Sequence, residues 1–288
     1  MKRIAQTILC YSLMFSTNSV AEQTLHVSPV EQAPVIDGKA DEIEWSTVPA
    51  ITTIDRIANI PIQLQAVTSG ITLFIKVRFP DETENRAHKN LVWDHDLEMY
   101  RAGPKREDFF VFKWNMNPHA TDLSLSGEQS YKADIWYWKA FRTDHAGYAD
   151  DKFHIYSETP STRSKRLINK NGKSYYLARR GDAGSAAYRG RQLTEYTDDD
   201  VYSLEHQLPS GSRSDVRAKG QWSDGYWTIE FARALNTGNP DDVVISKGTV
   251  LQFGVSRYEI AGRKPDPSLE QPLAGSGDIG ETLFLNLK

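Results

Sequence analysis

The chain has 288 residues, a formal charge of −4 and an aromatic content of 11%. An acidic balance lacks the basic face that neutralises phosphates, so nucleic acid is excluded as the expected partner. The single cysteine, Cys10, lies near the N-terminus, which excludes a disulfide framework, a thiolate metal site and CxxCH haem attachment in the rest of the chain.

Residues 1–21 read as a cleavable secretory signal. Lys2 and Arg3 form a basic start, an apolar stretch runs from Ile4 to Phe15, and Ser19-Val20-Ala21 offers a small-x-small cut after Ala21. Gln6, Thr7 and Ser12 interrupt that stretch, making it too short and too polar to span a bilayer, and no later stretch qualifies. Leu9 stands where a lipoprotein signal would want a small residue before Cys10. Loss of Lys2 and Arg3 with the signal takes the formal charge to −6. The expected location is periplasmic or secreted, with no membrane span after cleavage. No Pro/Ser linker divides residues 22–288, so a single domain is expected there.

Val35-Ile36-Asp37-Gly38 opens the ordered part, and Trp45 closes a short polar segment. Residues 60–66 and 71–79 alternate apolar and polar around Ser69-Gly70, which predicts a hairpin. Residues 109–116 and 133–142 are aromatic and β-branched runs suited to strands. The clearest hairpin lies at 215–233, where Asp224-Gly225 supplies the positive φ of a tight turn. Residues 249–258 and 281–287 complete the strand set. A helix capped at Thr197-Asp198-Asp199-Asp200 has only weak support. Many strands separated by Gly, Pro and Asp predict an all-β antiparallel β-sandwich with long loops and few short helices.

Little in the sequence points to bond chemistry. Gly275-Ser276-Gly277-Asp278-Ile279-Gly280 fits GxGxxG, but too few residues follow it for a dinucleotide fold. HExxH, P-loop and GxSxG motifs are missing, and the seven histidines show no metal-ligand spacing. Asp81-Glu82-Glu84 and Asp198-Asp199-Asp200 offer oxygen ligands for Ca²⁺ but read first as solvated loop charge. The basic run Arg163, Lys165, Arg166, Lys170, Lys173 reads as a solvated loop. Trp136 and Trp138 fall on one face of their strand, where two indoles wall a flat ligand, stack on a sugar or fill a core.

The pattern D-I-W-Y-W-K-A-x-R at 134–142, with Gly147-Tyr148-Ala149-Asp150-Asp151 after it, resembles the haem-binding domain of ethylbenzene dehydrogenase γ subunits and their cytochrome c-552-like relatives. The resemblance runs over roughly residues 33–287. The opening VIDGKADEIEW also resembles family 9 carbohydrate-binding modules, whose sandwich is related and DOMON-like. The resemblance implies a sandwich holding one non-covalent haem b, with electron transfer to or from periplasmic molybdenum enzyme subunits or another redox partner, and no catalysis of its own. It implies Met and Lys as iron ligands. The family's Met position here reads Leu125-Ser126-Gly127, which leaves Met116 or His119 as stand-ins, and Lys264 falls near the family's Lys. Trp136, Trp138 and Lys139 are the expected pocket wall. The alternative is a secreted carbohydrate-binding protein without haem, recognising sugars by indole stacking.

Overall fold

The computed structural model describes residues 23–56, 58–258 and 279–288. In chain order the strands are β1 (Gln23–Pro29), β2 (Ile51–Asp55), β3 (Ile60–Ser69), β4 (Thr72–Pro80), β5 (Leu91–Asp94), β6 (Met99–Ala102), β7 (Phe109–Asn115), β8 (Tyr131–Lys139) and β9 (Asp150–Ser157). They continue as β10 (Lys165–Ile168), β11 (Ser174–Gly181), β12 (Tyr188–Gly190), β13 (Asp200–Val201), β14 (Leu204–His206), β15 (Arg217–Ser223), β16 (Tyr226–Ala234), β17 (Val250–Tyr258) and β18 (Leu283–Leu287). Helix is confined, among the described residues, to α1 (Ile43–Ser46) and two short 3₁₀ turns. None of these helices is long and apolar enough to cross a membrane.

The main sheet runs β10-β11-β9-β8-β7-β17-β18-β1-β3-β4-β16-β15, with β2 beside β3. It folds over on itself. Trp138 of β8 meets Trp227 of β16 at 4.9 Å, and Phe112 of β7 meets Phe231 of β16 at 5.1 Å, although these strands are far apart in sheet order. The closed-up halves make the two layers of a sandwich, and the apolar positions of both fill the space between them. Gly147-Tyr148-Ala149 stitches the open side: Ala149 N–H donates to Val216 O at 2.9 Å and Ala218 N–H to Gly147 O at 3.0 Å.

Every strand expected from the sequence is present, with ends shifted by a few residues. The hairpin joining β15 and β16 turns through Asp224 and Gly225, at φ 52° and 78°, as its Asp-Gly pair requires. Three expectations change. The sheet is mixed rather than purely antiparallel, because β1 lies parallel to both β18 and β3. Asp200 begins strand β13 beside β5, so no helix follows Thr197. The basic run includes edge strand β10, whose Lys165 and Arg166 are exposed. The GxGxxG match lies outside the described residues, apart from Ile279 and Gly280.

Candidate functional site: a buried charge framework behind strands β8 and β9

Alternation along β8 separates its side chains. Trp136 and Trp138 point into the main core, while Ala133, Ile135 and Tyr137 face the opposite way, onto a second cluster with Leu125, Tyr156 and Tyr175. Both indoles are fully buried. Trp136 packs on Trp114 at 4.8 Å and on Phe112 at 5.8 Å. Trp138 packs on Trp227 and donates its N–H to Asp144 Oδ1 at 2.8 Å. The expected porphyrin slot is therefore filled by the chain's own rings. These indoles are core because the folded sheet brings β7, β8 and β16 into one aromatic layer.

Lys139 shares the second face of β8 and is also fully buried. Its Nζ is ion-paired with Asp150 Oδ2 and lies 4.3 Å from the centre of the Tyr137 ring. Burial pushes the Lys139 amine down to about 8, against the pull of Asp150. Burial pushes the Asp150 carboxyl up, but Lys139, Lys152 and Arg213 outweigh it and hold the group well below the usual carboxylate range. Asp150 is thus an anion among three cations, and Lys139 is a structural cation whose lone pair is not free for iron.

The expected iron ligands are Met116 or His119 on one side and Lys264 on the other. Met116 is half-buried against the main core, and the His119 side chain is exposed. Leu125, at the family's Met position, belongs to the second cluster. Lys264 lies outside the described residues. A surface pocket of about 500 Å³ between residues 84–87 and 104–106 includes none of these side chains. The described residues alone do not fit an axially ligated haem.

The motif residues assemble a different site. Asp134 of β8, Asp151 of β9 and Asp242 each place a ligand oxygen within 4.8 Å of the others, all buried. Asp182 follows β11 directly beside Asp151, its N–H 3.4 Å from Asp151 O. A guanidinium faces the group. Arg233 of β16 sits 3.5 Å from Asp134 Oδ2 and 3.2 Å from Asp242 Oδ2, donates to Val243 O at 2.9 Å, and lies over the Trp136 ring. Burial pushes Asp134 up to about 7, with Arg233 opposing, and Asp182 up to about 8, with neighbouring carboxylates adding. Burial and the facing Asp134 likewise lift Asp151 well above its usual range. The two acid runs singled out in the sequence are not this site: Asp81 pairs with Arg257 at 2.8 Å, and Asp198–Asp200 are exposed.

The opening motif is also a fastening. Glu230 Oε2 accepts from Asp37 N–H at 3.2 Å and from Gly38 N–H at 2.9 Å. Gly38, at φ 86°, lies so close to β15 that a Cβ would stand 2.8 Å from Gly220 C and Gln221 N. Trp45 joins Val67, Phe74 and Ala232 in a third apolar cluster.

Fold and framework define a β-sandwich protein whose recognisable motifs build buried polar networks at the seams of its sheet. The chain belongs to the ethylbenzene dehydrogenase family, whose model matches residues 39–263. No curated protein matches the chain. It is similar to a family 9 carbohydrate-binding module from Caldicellulosiruptor kristjanssonii solved with glucose, at 13% identity and a TM-score of 0.41, covering 92% of this chain and 96% of that one. The same module solved with cellotriose gives 13% identity and a TM-score of 0.39, with 92% and 95% covered.

Proposed function

We propose that this chain is an exported, non-catalytic subunit that serves electron transfer for a partner oxidoreductase. The family match over residues 39–263 carries this reading. Family resemblance assigns the bond chemistry to a molybdenum enzyme and a non-covalent haem b to the sandwich subunit, whose protein part sets binding, orientation and potential. Trp136, Trp138 and Lys139 are committed to internal packing and pairing, Met116 packs against the main core and the His119 side chain is exposed. The haem reading consequently rests on Lys264, and no step is derived through the group.

Haemin titration of the full chain tests it. The expected result is a sharp Soret band that moves on reduction and is lost in Lys264→Ala while the far-ultraviolet circular dichroism stays unchanged. A featureless titration removes the cofactor and leaves a haem-free docking subunit.

One observation favours sugar binding as a second reading. Trp93 meets Tyr100 at 4.9 Å and Tyr196 at 5.3 Å on the small sheet of β5, β6 and β13, and Tyr196 is 53% exposed. Rings at the surface suit stacking on a sugar face, whereas the buried Trp136 does not. Retarded migration in polysaccharide-containing native gels, abolished by Trp93→Ala, is the expected sign. Unretarded migration across a broad glycan panel counts against it.

A further inference from the structure

We propose that Asp134, Asp151, Asp182 and Asp242 hold one calcium-type divalent cation behind strands β8, β9 and β11. Carboxylates from two neighbouring strands and one loop converge here, and Asp182, just past the end of β11, lies beside Asp151. Each of three spends one oxygen on the protein and leaves the other without a partner. Asp134 Oδ2 accepts from Val243 N–H at 3.0 Å, Asp151 Oδ1 accepts from Lys152 N–H at 3.1 Å, and Asp242 Oδ2 accepts from the Thr237 hydroxyl. Asp134 Oδ1, Asp151 Oδ2 and Asp242 Oδ1 have no hydrogen-bond partner.

Asp182 is the independent sign of a ligand. It is 5% exposed, and neither carboxylate oxygen has a partner. Its backbone follows on from the Gly181–Lys152 pairing, which sets it beside Asp151, and the charges of Asp241, Asp134 and Asp242 act on its carboxyl. Buried carboxylate oxygens left bare are costly, because nothing replaces the water they lose.

Arg233 reaches only the Oδ2 atoms of Asp134 and Asp242. The unspent oxygens remain for an ion. An all-oxygen set of carboxylates suits a hard divalent cation such as Ca²⁺. An ion here would tie β8, β9 and β11 to the 239–245 connection and to β16 through Arg233, so its role is structural.

The test uses the full chain purified from an exporting host, stripped with EDTA and dialysed. A single bound Ca²⁺ by elemental analysis, a melting temperature that rises by several degrees on adding Ca²⁺, and Tb³⁺ emission sensitised by indole excitation through nearby Trp136 are expected. Asp151→Asn abolishes the Ca²⁺-dependent rise. Asp182→Asn, at the margin of the cluster, keeps the fold if Asp151→Asn does not, and weakens Tb³⁺ binding by roughly tenfold, as loss of one ligand charge requires. A chain that retains no metal, melts at one temperature with or without Ca²⁺ and gives no sensitised emission overturns the proposal. So does an Asp182→Asn chain that binds Tb³⁺ as well as the parent.

Discussion

Trp45 donates its indole N–H to Glu230 Oε1 across 3.0 Å, joining α1 to the centre of β16. The same carboxylate accepts the backbone N–H groups of Asp37 and Gly38. One side chain therefore fixes the whole opening segment against the sheet. Glu230→Ala would leave three donors without their acceptor, at a cost of about 3–5 kcal/mol. Trp45→Phe, which keeps most of the apolar contact, is expected to cost about 1–2 kcal/mol. Urea unfolding of the two variants against the parent checks the order.

Glu230 also makes stability depend on pH. Burial pushes its carboxyl up to about 7 from 4.5, so the folded chain holds a proton that the unfolded chain has released. That contribution is complete below about 4.5 and is lost as pH rises through about 7. His88 acts on the acid side. Burial and the nearby Arg142 push it down to about 2 from 6.5, so its contribution is present above about 6.5 and declines as pH falls below that value. The expected profile is a stability maximum in weakly acidic buffer. Melting curves in EDTA across the range should show it, and Glu230→Gln should lessen the alkaline decline without removing it, because Asp134, Asp151 and Asp182 share it, and should leave the acid side unchanged.

The ion cluster at Asp150 predicts an asymmetry. Asp150→Asn leaves Lys139 buried without its anion, with Lys152 and Arg213 close by, and is expected to cost about 3–5 kcal/mol. Lys139→Met leaves Asp150 two cations and puts an apolar stem in a fully buried place, so it should cost clearly less. Equal losses in chemical denaturation would contradict the assignment of Asp150 as the hub.

Gly220 lies against Trp138, and a Cβ there would stand 2.5 Å from the indole Cζ2. Trp138 has no room to retreat, being packed on Trp227 and tied to Asp144. Gly220→Ala is expected to destabilise by about 1–3 kcal/mol through overpacking. Trp136→Ala should cost about 3–5 kcal/mol as a core cavity. Both are read by thermal unfolding, and near-ultraviolet circular dichroism should report the disturbed indoles.

Where one sheet face is apolar, the fold is legible in the sequence. The alternation in β3 and β4, the Asp-Gly turn between β15 and β16, and the aromatic runs of β7 and β8 each give a strand close to its place. Strand β9 is not legible, because Asp150, Asp151 and His154 are buried polar residues that break the apolar period while facing inward. The same reason hides the carboxylate cluster. Its members come from separate strands and a loop, and only the folding of the sheet brings them together. Runs of adjacent acids catch the eye instead and prove to be an Arg257 partner and exposed loop charge. The indole pair is read correctly as one-faced, but sequence does not reveal that Trp114, Phe112 and Trp227 occupy the space before them.

Strand β18 lies between β17 and β1, near the middle of the sheet, and β1 reaches the rest of its layer through β3. A chain emerging N-terminus first from a ribosome therefore has a gap in the centre of its sheet until residues 283–287 have emerged. Contacts between sequence-distant ends form late, so the layers close only after the whole length is free. Such wiring leaves both layers open at their shared seam through most of synthesis and makes the last strand the one that locks them.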